Sequence, residues 1–486
     1  MSSATPPVAG ATAESAERPA GARRVHLSPA ERVEIGKAAR QASPRKNLAA
    51  WEPAADRADP VGILEAQGAS RVAELLPLRY GRMLASPFTF FRGAAAIMAA
   101  DLAPAATTGL RVQVCGDAHL SNFGLFGSPE RSLVFDINDF DETAPGPWEW
   151  DVKRLTASLA IAGRNNGFSA AERRQVVMAA AAGYRTGMAE FATMGNLAVW
   201  YSRASLEAGL PRVRAALDKA DFTRAEKVVT KAMTKDSAQA LARLTHVVDA
   251  QRRIINDPPL VVPVEEIMPA ERAAAFEDWM HGTLSAYRET LPGDRRYLLD
   301  HFRYVHMARK VVGVGSVGTR AWIILMSGRD DSDPLLLQAK EAQTSVLEPY
   351  VGASQYEQHG QRVVEGQRLM QATSDIFLGW TRVRGLDDQP RDFYFRQLRD
   401  WKGSWDPATM SPTMMSLYGS RCAWTLARAH ARSGDRIAIA AYLGTSDTVD
   451  RAFAEYAEAY ADQNERDHAA LVEAVRTGRV VAQTGL

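Results

Sequence analysis

The sequence predicts an α+β protein, with a large helical part and a smaller block built on an antiparallel sheet of about five strands. Three observations lead there. Residues 148 to 300 read almost wholly as helix, and so does the tail from about 411, with Ala-rich amphipathic runs. Between them stand RKVVGV, RAWIILMSG, PLLLQAKE, FLGWTRV and DFYFRQL, short runs rich in branched and aromatic residues. A separate pair of strand-like runs, RVQVC and SLVFDI, flanks the loop in VCGDAHLSNFG.

In chain order, residues 1–27 are rich in Ala, Pro, Ser and Gly and bury too little surface to order, so a disordered leader is expected. Ser28-Pro29-Ala30-Glu31 is a capping box with Pro at the first helical position, which predicts a helix start. A Pro- and Asp-rich linker covers about 43 to 60. Helical pattern follows to 110, interrupted by LRYGRMLASPFTFFRG. Ser169 with Glu172 predicts the cap of a long helix, and a further helix is expected near 354–371 among the strands. The expected division is a helical lobe over 28–300, an α+β lobe over 301–405, and C-terminal helices over 406–486 that pack on the first lobe.

The 486 residues allow two or three domains. A formal net charge of +1 gives no global field to select nucleic acid or an acidic membrane, so neither is expected as a partner. Cys115 and Cys422 form no disulfide framework and suit a reducing compartment. No run approaches the ~20 apolar residues of a membrane span, and no signal core is evident. The expected location is the cytoplasm.

Chemistry concentrates around Asp117. Asn122 follows it by five, and a second acidic cluster, Asp136, Asp139 and Asp141, ends an apolar strand. Phosphoryl transfer needs one carboxylate at the attacking hydroxyl, and an amide with a further carboxylate for Mg²⁺. Either half alone is more often a turn; the two together, with a short strand between them, favour phosphate chemistry. A two-metal phosphoesterase also uses Gly-Asp-x-His, but it needs an upstream Asp-x-His and several later His ligands. No Asp-x-His precedes residue 117, and the chain has only nine His.

GDAHLSN resembles the catalytic loop of aminoglycoside-phosphotransferase-like kinases, and NDFDETAPGPWEWD resembles their metal-binding segment and the Pro-aromatic-Asp beyond it. The resemblance implies Asp117 as catalytic base and Asn122 as metal ligand. Asp139 becomes the main metal ligand, with Asp136 its competitor, and Asp151 braces the loop from the next helix. Cys115 stands where these kinases often carry His. His119 is read as a loop-packing or substrate-side residue.

The nucleotide-covering half comes later in the chain. Gly313, Gly315 and Gly318 form a GxGxxG followed by a strand, RAWIILMSG, and not by the helix a dinucleotide-binding turn opens. A third strand ends on Lys340, expected to pair nucleotide phosphates. Glu365, or else Glu357, resembles the helix acid that pairs this Lys. Gln397-Leu398-Arg399-Asp400 resembles the hinge that holds adenine.

The parts stand in rotated order, which implies a circularly permuted, protein-kinase-like two-lobed fold. Permutation is tolerated where new ends lie at the surface. LRYGRMLASPFTFFRG, CGDAHLSNFG, NDFDE and YADQNERDH also resemble an uncharacterised bacterial family, the domain of unknown function numbered 2252, over about 60–470.

The function expected is an ATP- and Mg²⁺-dependent phosphotransferase acting on a hydroxyl of a small molecule. Only nine residues, Glu142 to Trp150, precede Asp151, too few for a usual activation loop, which favours a small-molecule acceptor. The alternatives are a catalytically inactive nucleotide-binding pseudokinase, a nucleotidyltransferase and, with least support, a metallophosphoesterase. Arg79, Tyr80, Arg82 and Arg92 could bind an anionic substrate group, though surface ion pairing is the commoner role. Asp462, Glu465, Asp467 and His468 are expected on a solvated helix face. Trp401 and Trp405 are expected to pack in the core or between lobes, with an adenine-side role the less supported alternative.

Overall fold

The computed structural model describes residues 26–205, 214–234, 237–249, 251–398 and 401–485. The expected leader lies, but for its last two residues, outside them. The two capping boxes form as the sequence predicts. Ser28 and Glu31 close the start of helix Pro29–Ala42, and Ser169 and Glu172 close the start of helix Ala170–Thr193.

The strands in chain order are β1 Arg111–Val114, β2 Phe123–Gly127, β3 Leu133–Ile137, β4 Ala144–Pro147, β5 Ala204–Ser205, β6 Thr245–Val248, β7 Gln251–Ile254, β8 Val261–Pro263, β9 Arg303–Lys310, β10 Ala321–Ser327, β11 Pro334–Ala342, β12 Gly379–Arg384 and β13 Pro390–Gln397. The protein is mixed α+β. Its main sheet is antiparallel with the order β12-β13-β11-β10-β9-β8. Four of these six strands, β10 to β13, match runs read from the sequence. β9 lies upstream of the fifth run, RKVVGV, and overlaps it only at Arg309 and Lys310, because the chain leaves the sheet there for the glycine loop. The sixth, β8, falls in the stretch expected to be helical, as do β5 and the β6–β7 hairpin. β8 is three residues long and edge-paired, too short to interrupt a helical pattern.

Residues 261–299 join the sheet layer. Val264, Met280, Tyr287 and Leu299 share one apolar core with Trp322, Leu337 and Phe395. The expected boundary at 300 therefore falls inside that layer. The other sheet face carries Ile323, Leu325 and Leu336, packed on Leu241 and Leu244. Strand alternation then puts Gln338 and Lys340 of β11 on the same face as Leu336, opposite Leu337 and Ala339. In register beside them on β13 are Arg396 and Tyr394. This face is apolar at one end and polar at the other, and the polar end meets the helical part.

That helical part has its core around helices Trp148–Asn165, Ala170–Thr193, Pro412–Ser433 and Thr448–Arg476. β1 pairs with β4, and β2, β3 and β5 form a second small sheet. Helix Pro412–Ser433 ends where β1 begins, and Ser433 Oγ accepts the Gln113 N–H at 3.2 Å. Among the described residues no helix is long and apolar enough to cross a membrane.

Candidate functional site

The loop after β1 is set by its backbone. Gly116 has φ +81°, and a Cβ there would stand 2.4 Å from the Glu142 carbonyl oxygen. Only glycine fits both conditions. Asp151, buried in the first turn of helix Trp148–Asn165, accepts the Cys115 N–H at 2.8 Å and the Gly116 N–H at 3.0 Å. His430 Nε2 lies 3.1 Å from Asp151, and His430 Nδ1 lies 2.8 Å from the Tyr184 hydroxyl. An imidazole thus does reach this brace, from a distant helix and not from position 115.

Held this way, the loop presents Asp117 to a cavity of about 650 Å³. Asp117 Oδ1 accepts from Arg154 Nε at 2.8 Å, and Arg154 also donates to the Phe91 carbonyl. Burial pushes the Asp117 carboxyl above its ordinary range, against the opposing charges of Arg154 and Arg92. His119 Nδ1 accepts the Ser121 N–H, and burial with Arg154 keeps its imidazole neutral. Asn122 Nδ2 donates to the Asp117 carbonyl at 2.7 Å, which leaves its Oδ1 as the free amide acceptor.

The acidic segment after β3 divides by environment. Asp136 is sealed in the core on Arg428, at 2.7 and 2.9 Å, and accepts the Ala372 and Ile137 amides. Asp139 and Asp141 line the cavity. Asp141 accepts from Lys340 Nζ and from the Tyr394 hydroxyl, both at 2.6 Å; Asp139 Oδ1 lies 3.6 Å from the same Nζ. Burial would raise both carboxyls. The Lys340 charge and its bond hold Asp141 below its ordinary value, while burial and the Asp141 charge leave Asp139 above it. Lys340, only 2% exposed, would lose its proton to burial, but the two carboxylates outweigh that and hold it charged. Burial pushes Glu142 up to about 7.

The glycine loop lies between β9 and β10, strand on either side, as the sequence predicts. Gly313 and Gly315 line the cavity with Asp117, Asn122 and Asp139. Gly318 is outside that wall; its φ of +90° turns the chain against the Arg71 side chain. The loop is tethered from the N-terminal helices. Arg82 donates to Gly313 O, Arg71 to Gly315 O and Val317 O, and the Val72 N–H to Gly318 O.

Glu365 is not brought into the site. It pairs with Arg368 at 3.0 Å, one-third exposed, while Lys340 takes Asp141 and Asp139 as partners. The expected Lys340–Glu365 pair is corrected accordingly, and Glu357 is exposed and offers no substitute. The cause is the phase of helix His359–Met370. Its inward face carries Arg362, which grips the Asp141, Thr143 and Gln343 carbonyls, and Gly366, packed on Thr143.

In the expected hinge, Asp375 accepts the Gln397 N–H and Leu336 O accepts the Leu398 N–H. Arg399 and Asp400 lie outside the described residues. Trp405 packs on Phe135 and Tyr418 as expected, and Arg131 stacks on Trp401.

Two other expectations change. Arg79 is fully buried and bonded to Gln67 and Gly93 O, so it is no surface ion pair, whereas Arg92 lines the cavity beside Asp117. Asp467 is buried on Arg57, which also holds Asp101, while Asp462 remains exposed. The sequence reading missed Arg154, Arg362, Tyr394, Arg428 and His430. Arg154 had a usable signal, three residues after Asp151 and so on the same helix face. The others act across the fold and have no local signature.

No curated protein and no solved structure matches the chain. A family model described as an uncharacterised protein conserved in bacteria, the domain of unknown function 2252, matches residues 71–474, and the chain belongs to that family.

Proposed function

We propose that the protein is an ATP- and Mg²⁺-dependent phosphotransferase acting on a hydroxyl of a small molecule, built as a circularly permuted kinase-like fold. The observation that carries the reading is one cavity. Asp117, Asn122 and Asp139 from one part of the chain face Gly313 and Gly315 from another, and Lys340 pairs with Asp141 across 199 residues of sequence.

Two features of the chain path support it. The order β9-β10-β11-β13-β12, with helix His359–Met370 between β11 and β12, is the arrangement a nucleotide-covering lobe of this kind needs. The end of helix Pro412–Ser433 against β1 is where an unpermuted chain would run on into the catalytic loop.

In this reading Asp117 orients and deprotonates the acceptor hydroxyl, with its carboxylate aimed by Arg154. Lys340 and the glycine-loop amides hold the phosphates. The Asn122 amide oxygen and the Asp139 carboxylate are hard oxygen donors of the type Mg²⁺ takes alongside phosphates. When bound, Mg²⁺ would neutralise charge on the transferring phosphoryl group.

Asp117→Asn tests the reading. Transfer or hydrolysis of the ATP γ-phosphate should fall by about 10² to 10⁴, with ATP affinity retained. An unchanged rate would refute Asp117 as the base. A second reading, nucleotide binding without catalysis, is favoured by one observation: Arg154 bonds Asp117 Oδ1, and its charge makes the carboxylate a weaker base. ATP-dependent thermal stabilisation with no phosphate release over a broad panel of hydroxyl compounds would select it.

A further inference from the structure

The polar end of the cleft-facing sheet surface has an unusual lining. Val312, Gly313 and Ser316 of the glycine loop, with Gln338, Lys340 and Leu398, line a small open cavity of about 190 Å³. Arg396, Lys402 and the Asp139 carboxylate complete its wall, and the two cations also line an adjoining cavity of about 170 Å³ with Arg131, Asn138, Asp375 and Gln397. A slot for a purine base is walled mostly by apolar side chains. Here only Val312 and Leu398 are apolar.

The cations are not equally satisfied. Lys340 has Asp141 and Asp139. Arg396 donates to Gln338 Oε1 at 3.2 Å and to the Asn138 carbonyl at 2.9 Å, both neutral acceptors. Lys402 has no hydrogen-bond acceptor among the described residues and faces Arg396. The Arg396 charge and burial together press the Lys402 amine down to about 7. Asp139 and Asp375 offset part of this repulsion, but Asp139 is shared with Lys340 and neither carboxylate hydrogen-bonds Lys402. Lys340, Arg396 and Lys402 therefore outnumber the one carboxylate in the cavity wall, a surplus that an added anion would balance.

We infer that Lys402 and Arg396, with Lys340 and the glycine loop, form a polyphosphate-binding subsite in this cleft, which seats the phosphate chain of a nucleotide and excludes its base. Naming the anion as a nucleotide's phosphate chain rests on the phosphotransferase reading; the anion site itself does not. Phosphate oxygens would accept from Lys402 Nζ and from Arg396 nitrogens, and such charge-assisted bonds are about twice as strong as neutral ones. The base would then lie outside this cleft.

The test is calorimetric titration of the full chain with sodium tripolyphosphate, adenosine and ATP with Mg²⁺. Tripolyphosphate should bind and weaken as salt rises, and adenosine alone should not bind. Lys402→Gln should weaken tripolyphosphate at least about tenfold, the loss of one charge-assisted bond, and Lys402→Arg should restore most of it. Circular dichroism and melting identify a misfolded Gln variant, in which case Arg396→Gln replaces it. Asp117→Asn should leave tripolyphosphate binding intact, so loss of turnover and loss of the anion site are read separately. Competition between tripolyphosphate and ATP identifies the nucleotide's own phosphates as the occupant; simultaneous binding assigns the anion site to a second phosphorylated ligand and overturns the nucleotide assignment. No tripolyphosphate binding by the wild type, or equal binding by Lys402→Gln, overturns the subsite.

Discussion

Lys340 Nζ lies 2.6 Å from Asp141 Oδ2, joining the third strand of the glycine-loop block to the acidic segment beyond the catalytic-type loop. Lys340 is almost fully buried, so its charge depends on Asp141 and, at 3.6 Å, on Asp139. This pair is the main electrostatic link between the two halves of the cavity.

Lys340→Met should therefore act on stability as well as on ligand binding. It strands two partly buried carboxylates, with an expected loss on the order of 2 kcal/mol, below the usual cost for a fully buried pair because Asp141 is about a quarter exposed. Glu365→Gln should change stability by less than about 0.5 kcal/mol. Urea unfolding of both variants decides the matter. A Glu365 effect as large as the Lys340 effect would mean that the helix acid, and not Asp141, is the working partner.

Gly116→Ala should destabilise by more than about 1 kcal/mol, the usual cost of a left-handed backbone with a Cβ, because the methyl also meets the Glu142 carbonyl. The same change should lower any Asp117-dependent rate, since the turn aims that carboxylate. Thermal unfolding and the γ-phosphate assay would read the two effects. Full stability in the Ala variant would contradict the loop geometry.

Asp136 and Arg428 form a buried pair whose value is structural. Removing either partner alone, as in Asp136→Ala or Arg428→Ala, should cost about 3 to 5 kcal/mol, because an uncompensated charge stays in the core. The double replacement Asp136→Leu with Arg428→Met should cost less than either single change. A double-mutant cycle in urea provides the check, and simple additivity would refute the pair.

Lys153 supplies a pH signature outside the site. Its amine is buried 4.3 Å from the centre of the Tyr456 ring, and burial, only partly offset by Glu149, lowers it to about 8. The unfolded chain keeps lysine near 10.4. Between those values the folded state binds fewer protons than the unfolded one, so this group makes stability rise with pH across about 8 to 10.4, by on the order of 3 kcal/mol in all. Lys153→Met should flatten that part of the stability profile. An identical profile in the variant would show that the amine is not buried in the folded state.

The parts of the fold with local signals were readable from the chain. Ser28 and Ser169 announced their helices through capping boxes, four strands of the main sheet showed β-rich runs, and GVGSVG followed by such a run, and not by a helix, excluded a dinucleotide-binding turn. Asp117, Asn122 and Asp139 could be named because short turns between strands fix their neighbours. Glu365 could not be placed, because a helix's rotation is set by what it packs on, here Thr143 against Gly366. The choice between Asp136 and Asp139 depended on Arg428, almost three hundred residues away, and no pattern near either Asp reports it. β8 is too short to leave a period, and its place in the sheet comes from pairing with β9.

The most direct test is a crystal structure with a non-hydrolysable ATP analogue and Mg²⁺. The account predicts phosphates between Lys340 and the Gly313–Ser316 backbone, with the metal about 2.1 Å from an Asp139 oxygen. An analogue bound away from Lys340, or a metal held without Asp139, would contradict it.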